Sequence, residues 1–208
     1  MRGLLLLSGG IDSIVAGYLM SKKIKISAVH FDNKPFTGDS ELDKTKELCK
    51  KVGIKKLFIV KHGEYQKEVM KNCNRKFQCV MCRRMMFRVS EELARKEGFD
   101  FLITGENLAQ VASQTLENLK ACDKASSLVI LRPLLCYDKN DIIKIARQIN
   151  TYNISTLPGV CCMAVPSHPA TKANIEYVEK EEEKLEIKQL VKNALNSIET
   201  CAPTGHMS

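Results

Sequence analysis

Five apolar runs that alternate with amphipathic segments constrain the fold of this chain most strongly. Runs typical of buried strands cover residues 4–7, 24–31, 56–60, 99–104 and 128–131. Apolar residues spaced three and four apart predict helices over residues 14–20, 42–52, 65–71, 85–96 and 108–119. This alternation indicates an α/β fold, a doubly wound, mostly parallel sheet of about five strands with helices on both faces. Ligands of such sheets bind at the carboxyl ends of the strands.

Length and composition indicate one globular domain with a helical tail. The 208 residues, 44% hydrophobic and 27% charged, suffice for one buried core. We expect the α/β domain to cover residues 1–171 and a charged tail of one or two helices to cover residues 172–204. Before the tail, the Pro-containing segment 151–169 is expected to form a loop over a site. Residues 205–208 are interpreted as a remnant of recombinant expression.

Net charge indicates the kind of partner, and cysteine usage bears on the cellular compartment. A formal charge of +8 favours a polyanionic partner, although a solvated lysine-rich surface accounts for it equally well. The chain begins without a signal-peptide pattern, and no apolar stretch approaches the roughly 20 residues that span a bilayer. We therefore expect a cytoplasmic protein without membrane association. In that compartment the nine cysteines are expected to be ligands, nucleophiles or core residues.

A glycine pair between two hydroxyl residues follows the first predicted strand. Ser8, Gly9, Gly10, Asp12 and Ser13 occupy a turn that leads directly into a helix. Backbone N–H groups at such a helix start attract an anion, the glycines allow close approach, and the acidic side chain can orient Mg²⁺ or the loop. The pattern is neither a Walker A loop nor a dinucleotide fingerprint. The sequence thus predicts a phosphate site, the alternative being a structural glycine turn.

Several further motifs carry a resemblance to a known family. They are TGENLAQVASQTL at residues 104–116, LRPL at 131–134, Asp-Lys at 138–139, CRRMM at 82–86 and Cys-Cys at 161–162. With the SGGIDS loop, they resemble the PP-loop ATP pyrophosphatases and, within them, the catalytic domain of the ThiI family of tRNA 4-thiouridine synthetases, in one register from about residue 4 to residue 171. The resemblance implies an ATP-dependent sulfurtransferase that adenylates a tRNA uridine at O4 and replaces that oxygen with sulfur.

The resemblance also implies roles for particular residues. The loop residues would bind the pyrophosphate portion of ATP and its Mg²⁺, and Asp12, Lys139 and Cys162 would be the catalytic residues. The nucleotide site would be completed by His30, Phe31, Gly105, Gln110 and Gln114. Lys139 would stabilise developing phosphate charge, and a Cys162 thiolate or persulfide would act as the soft nucleophile. Two alternatives remain open: a solvated first-turn lysine at 139 and a core histidine at 30.

Cys79 and Cys82 open a helix at a spacing that directs two sulfurs to one side. The pair is compatible with zinc, with a redox or persulfide pair, or with a [4Fe-4S] cluster that takes Cys162 as third ligand. We expect the cluster, because its open iron could bind sulfide and because family members from methanogenic archaea resemble this pattern. Cys161 is the alternative to Cys162. The other cysteines considered, at 49, 122, 136 and 201, are interpreted as core or incidental residues.

A basic segment surrounds the cysteine pair. It predicts contacts to a tRNA acceptor arm from Arg75, Lys76, Arg83, Arg84 and Arg88, with Phe77 stacking on a flipped base. Residues 1–208 contain neither the THUMP region nor the rhodanese domain of some family members. We therefore expect a separate RNA-binding subunit or a homodimer, and sulfide or a persulfide carrier as sulfur donor. The alternatives are a small-molecule adenylating enzyme and a non-catalytic iron–sulfur or nucleotide-sensing module.

Overall fold

The computed structural model describes residues 1–108, 114–159 and 162–203. Its strands form one six-stranded sheet in the order β5-β4-β1-β2-β3-β6. The strands are β1 (Arg2–Leu6), β2 (Lys25–Asp32), β3 (Leu57–Lys61), β4 (Phe101–Ile103), β5 (Ile130–Leu131) and β6 (Glu199–Cys201). Neighbouring strands are parallel except β6, which runs antiparallel to β3. The predicted α/β fold is confirmed.

Helices cover both faces of this sheet. They are α1 (Ile11–Ser21), α2 (Ser40–Val52), α3 (Gly63–Asn72), α4 (Gln78–Glu97), α5 (Leu116–Asp123), α6 (Lys139–Gln148), α7 (Tyr152–Ser155), α8 (Ile175–Glu182) and α9 (Ile187–Asn196). A 3₁₀ turn, Arg75–Phe77, precedes α4. Among the helices of the described residues, none combines the length and the apolar character needed to cross a bilayer.

Three elements differ from the sequence-based expectation. One is α7 (Tyr152–Ser155), a short helix in the segment 151–169 that the sequence predicts as a loop. Within the described residues, the predicted helix at 108–119 is present from Leu116, where the Thr115 hydroxyl accepts a hydrogen bond from the Asn118 N–H at 3.2 Å; residues 109–113 lie outside the described residues. Residues 104–107 before it lack helical structure, because they leave the carboxyl end of β4 and pack against the phosphate loop. The sixth strand was missed, since its exposed Glu199 and Thr200 offer no apolar run.

The sheet separates two apolar cores. Successive residues of β1 point to opposite faces, so that Leu4 packs in one core and Leu5 in the other. The Leu5 core receives residues of α1, α2 and α6, and the Leu4 core receives residues of α3, α4 and α5. The Leu4 core also contains Val178, Leu185 and Ala194 from the C-terminal segment. The segment 172–203 therefore contributes core residues as well as a strand.

A buried ion pair attaches α8 to α4. The carboxylate of Glu182 accepts hydrogen bonds from Arg84 at 2.7 and 2.9 Å and from Arg88 at 2.6 and 2.8 Å. Arg84 is only 1% exposed, and it also donates to the Ala121 carbonyl. The prediction that Arg84 contacts RNA is therefore wrong for this structure, and the Arg88 guanidinium is likewise engaged inside the protein. Arg84 and Arg88 are four residues apart on α4, so both side chains point towards α8. The basic pattern of the local sequence does not reveal this orientation.

The protonation of Glu182 follows from these contacts. Burial alone would raise the pKa of its carboxyl, but the hydrogen bonds and charges of Arg88 and Arg84 outweigh burial and hold the pKa below its usual value. Glu182 therefore remains a carboxylate at neutral pH, and its charge offsets the cost of enclosing Arg84.

Glu182→Ala should lower the free energy of unfolding by about 3–5 kcal/mol, because it leaves the Arg84 guanidinium buried without its carboxylate. Urea denaturation followed by circular dichroism measures this change. The matched control is Glu179→Ala, which removes an exposed carboxylate 3.7 Å from the same guanidinium. We expect the control to change stability by about 0.5 kcal/mol or less. Equal effects of the two substitutions would contradict the assignment.

The ion pair of Glu182 also predicts that the free energy of unfolding depends on pH. Because the folded-state pKa of Glu182 lies below its unfolded value near 4.5, its stabilisation is present above that value and is lost as pH falls through the folded pKa. Glu182→Gln should therefore flatten the fall in unfolding free energy on acidification. Denaturation series between about pH 3 and pH 6 provide the comparison. A variant with the wild-type slope would show that other carboxylates cause the acid lability.

Candidate functional site

A cleft of about 550 Å³ opens at the carboxyl ends of the central strands. The loops after β1, β2 and β4 meet there because these three strands are neighbours and parallel. Helices α2 and α4 and the segment that follows α7 complete its walls. The cleft therefore has the position that ligands occupy in open α/β sheets.

The predicted phosphate loop forms one wall of the cleft. The Ser13 hydroxyl accepts from the Ser8 backbone N–H at 3.1 Å, and the Gly10 N–H lies 3.3 Å from the Ser8 hydroxyl. Gly10 precedes α1 in an extended conformation, so the first turn of the helix directs N–H groups out of the loop. Any side chain at Gly105 would overlap the backbone of Asp12 and Ser13. The β4 loop therefore packs directly on the phosphate loop.

Asp12 and Lys139 meet at the rim of this loop. Lys139 is the first residue of α6, which Asp138 caps by accepting from the Asn140 N–H at 2.8 Å. Its Nζ donates to Asp12 Oδ1 at 2.6 Å across 127 residues of sequence. Both side chains remain partly exposed. Lys139 is therefore directed at the phosphate loop, as the catalytic prediction requires.

His30 and Phe31 lie just before the last residue of β2 and line the cleft, and both are largely buried. The His30 Nδ1 donates to the Leu7 carbonyl at 3.0 Å. Burial lowers the pKa of His30 more than this hydrogen bond and nearby carboxylates raise it, so the ring is neutral at pH 7. His30 thus has a packing role between β1 and β2 even where it lines the cleft.

Glu106 is a cleft residue that sequence reasoning missed. It is 2% exposed and accepts hydrogen bonds from Arg83, from Arg132 at 2.7 Å and from Thr104 at 2.9 Å. Burial would raise the pKa of its carboxyl, but the charges of the two arginines outweigh burial and lower it. Glu106 therefore holds Arg83 inside the cleft instead of on an outer basic face. Its position after a buried strand, beside Gly105, was the available signal.

The three predicted sulfur ligands lie in one region. Cys79 and Cys82 are in the first turns of α4, and Cys162 lines the cleft. Burial raises the pKa of Cys82 to about 12, and the charges of Cys162 and Cys79 add to this effect. The Cys82 sulfur accepts from Gln66 Nε2 at 2.8 Å and lies 3.4 Å from His62 Nε2. Cys82 is therefore a protonated, hydrogen-bonded thiol at neutral pH.

Metal ligation makes stricter geometric demands than proximity. Within residues 1–108, 114–159 and 162–203, no group of three or more Cys, His, Asp or Glu side chains is arranged to hold a metal ion. Cys79, Cys82 and Cys162 therefore do not form such a group among the described residues. Cys161 lies outside the described residues, as does Gln110 of the predicted nucleotide site. Gln114 lines the cleft, where its Oε1 accepts from the Asn107 N–H at 3.1 Å.

The loop that carries Cys162 is attached at several points. The Met163 N–H donates to the Phe36 carbonyl at 2.9 Å, and the Ala170 N–H donates to the Lys76 carbonyl at 2.8 Å. Between them, the Arg75 guanidinium donates to the Ala164 carbonyl at 3.2 Å. Arg75 thus fastens this loop beside the cysteine pair of α4.

The predicted RNA-binding residues do not share one outward face. Lys76 is exposed, whereas Arg83 lies in the cleft, and Arg84 and Arg88 bind Glu182. Phe77 is only 5% exposed and packs in the Leu4 core, so it cannot stack on a flipped base in this conformation. This burial in the core overrides the apparent position of Phe77 in a basic loop.

Comparison with known proteins is consistent with this site. Two similar proteins, each named "Probable tRNA sulfurtransferase", come from Moorella thermoacetica and Coxiella burnetii. The first is 42% identical over 95% of this chain and 53% of its own length. The second is 44% identical over 96% of this chain and 53% of its own length. The chain therefore spans about half the length of these curated relatives.

Solved structures extend the comparison. A 4-thiouridine synthetase in complex with RNA and bound ATP is 36% identical, with a TM-score of 0.91 over 96% of this chain and 54% of that chain. A U34-tRNA thiolase of Methanococcus maripaludis, solved with its [4Fe-4S] cluster, is 21% identical, with a TM-score of 0.57, over 96% and 73% of the two chains. At that identity the likeness concerns the fold alone. The family model described as "Thiamine biosynthesis protein (ThiI)" matches residues 1–187, and the chain accordingly belongs to the ThiI family.

Proposed function

We propose that this chain is the catalytic part of an ATP-dependent sulfurtransferase that adenylates a tRNA uridine at O4 and replaces the oxygen with sulfur. The observation that carries the proposal is the convergence of the phosphate loop, the Lys139–Asp12 pair and Cys162 on one cleft. Family membership supports it, as does the likeness to a 4-thiouridine synthetase that binds ATP and RNA.

In the first step, O4 of the uridine attacks the α-phosphorus of ATP, and pyrophosphate leaves. The N–H groups at the start of α1 and the Lys139 ammonium neutralise the charge that grows on the departing phosphates. The Asp12 carboxylate is the oxygen ligand in this loop suited to Mg²⁺, which when bound would supply further positive charge to neutralise the phosphates. The product is a uridine whose O4 bears AMP, a far better leaving group than the original oxygen.

In the second step, the terminal sulfur of a Cys162 persulfide attacks C4, and AMP departs with the oxygen. The resulting C4–S–S–Cys162 linkage is broken when a second thiolate attacks the Cys162 sulfur, which releases 4-thiouridine and leaves a protein disulfide. Burial raises the pKa of both α4 thiols, but it raises that of Cys82 to about 12, and Cys82 is also engaged with Gln66; Cys79 is therefore the better attacker of the pair. A persulfide carrier must supply the sulfur, and a dithiol reductant must reopen the disulfide.

RNA would reach this cleft over residues on its cysteine side. Lys76 is exposed there, Arg75 holds the Cys162 loop, and Arg83 offers a guanidinium inside the cleft. These three positions supply positive charge but little means of selecting one uridine. We therefore assign selection of the tRNA to a separate RNA-binding subunit or to a second copy of the chain.

Nucleoside analysis tests the function directly. Transfer RNA from a strain that lacks this gene should contain no 4-thiouridine by mass spectrometry, and expression of the chain should restore it. Restoration in the cell does not require the partner subunit to be known. Unchanged 4-thiouridine in the deletion strain would overturn the proposal and would favour a small-molecule adenylating enzyme or a non-catalytic module.

The adenylation step predicts which products ATP yields and which substitution slows their formation. With tRNA present, ATP should yield AMP and pyrophosphate instead of ADP and phosphate, as radiolabelled nucleotide chromatography can resolve. Asp12→Ala should lower this rate by about 100-fold or more, because it removes a charge-positioning group at the phosphates. Asp43→Ala on α2, an exposed carboxylate, should leave it unchanged. Wild-type adenylation by the Asp12 variant would contradict the assignment.

The sulfur step should be separable from adenylation. Cys162→Ser should still release pyrophosphate but should form no 4-thiouridine, because only the attacking sulfur is lost. Cys136→Ser changes an exposed cysteine and should retain both activities. Iron measured in anaerobically purified protein decides the cofactor: active protein without iron supports the thiol route, whereas activity that depends on about four iron atoms would replace it with the cluster.

A further inference from the structure

Helix α2 presents an unusual lysine to the cleft. The side chain of Lys44 is only 8% exposed, and its Nζ donates to Glu41 Oε1 at 2.9 Å. Two residues further along the same helix, the Lys46 side chain is 39% exposed and lies 3.8 Å from Asp43. Lys46 is an ordinary surface lysine, whereas Lys44 is enclosed. The sequence does not distinguish them, because both lie in a charged amphipathic helix.

The surroundings of the Lys44–Glu41 pair are specific. A methyl group at Gly9 would lie 2.5 Å from Glu41 Oε2 and 3.5 Å from Lys44 Cδ. A methyl group at Gly159 would lie 2.5 Å from Glu41 Oε1 and 2.6 Å from Lys44 Nζ. The pair thus fills the space between the phosphate loop and the segment that leads to Cys162. A side chain at either glycine would have to displace the charged end of Glu41 or Lys44.

Burial makes this ammonium costly unless it is well paired. An ammonium group has three N–H donors, and within the described residues one of them has a partner, the Glu41 carboxylate. A single ion pair only partly offsets the loss of hydration. The remaining donors lie at the wall of a cleft whose neighbouring loop is built to accept an anion. A doubly charged phosphate group can pair with these remaining N–H donors of Lys44 better than one carboxylate can.

We propose that Lys44 is a further phosphate-binding residue, which contacts the pyrophosphate portion of the nucleotide, and that Glu41 is the carboxylate that compensates the ammonium until the phosphates replace it as partner. The identity of the ligand as ATP rests on the proposed function, whereas the site itself rests on the contacts of Lys44. Lys44 would add charge neutralisation on the α2 side of the phosphates, opposite the contribution of Lys139.

The affinities for inorganic pyrophosphate and for adenosine, measured separately, distinguish a phosphate-binding role of Lys44 from a general effect on nucleotide binding. Calorimetry on the full chain with EDTA excludes any contribution from metal. Lys44→Met retains most of the aliphatic side chain and should weaken binding of pyrophosphate and of ATP by about 10-fold or more, the scale of a lost charge-assisted hydrogen bond. Adenosine binding should be unchanged. Lys46→Met is the matched control and should bind all three ligands as the wild type does.

Glu41→Gln provides a test of opposite sign that does not depend on the folding of the lysine variant. It retains Lys44 but removes a negative charge beside the phosphate loop, so pyrophosphate should bind more tightly, by about threefold or more. A pair with only a structural role would lose affinity, or show no change, in both variants. Either of those results would overturn the inference.

The two proposals fail in different ways. Wild-type protein that binds pyrophosphate while Lys44→Met binds it equally well would reject the role of Lys44 and leave the proposed function intact. Wild-type protein that binds neither ATP nor pyrophosphate would reject both. Pyrophosphate binding that depends on Lys44, in a chain whose deletion leaves 4-thiouridine unchanged, would uphold the site and reject the tRNA reaction.

Discussion

Parallel pairing of β1 with both β2 and β4 is the constraint on which the site depends. Parallel strands end at the same edge of a sheet, and β1 is flanked on both sides by strands that leave towards the cleft. The phosphate loop after β1 therefore lies between His30 of β2 and Gly105 of the β4 loop. Gly105 approaches Ser13 so closely that the two loops form one surface. Without this register, the loop would be an isolated glycine turn.

Buried ion pairs that fix the rotation of helix α4 are a second constraint on the site. Arg83 of this helix binds Glu106 at the end of β4, and its Arg84 and Arg88 bind Glu182 of α8. Ionised carboxylates at both positions compensate guanidinium groups that would be costly to bury alone. Because the contacts lie on different sides of one helix, they fix its rotation. The first turns of α4 consequently hold Cys79 and Cys82 towards the segment that carries Cys162.

Charged side chains beside the phosphate loop form ion pairs. Asp12 with Lys139, and Glu41 with Lys44, flank the phosphate loop as separate ion pairs. Each pair compensates its charges in this structure, and in the proposed reaction each lysine would contact a phosphate. Arg83 differs, since Glu106 is buried and holds its guanidinium in place. The site thus has two lysines that would change partner when a nucleotide binds and one arginine that a buried carboxylate holds in place.

Local sequence determined the α/β class and the phosphate loop, because strands buried on both faces are continuous apolar runs and because the SGGIDS turn carries its chemistry in six adjacent residues. The contact of Lys139 with the phosphate loop was expected only through the family resemblance. Tertiary structure alone decided that Arg84 is enclosed by α8, that Phe77 is core, that Glu106 holds Arg83, and that Lys44 is buried while Lys46 is not. The physical reason is that burial and ion pairing depend on partners from distant parts of the chain, such as residues 84 and 182, whereas periodicity reports only the local backbone.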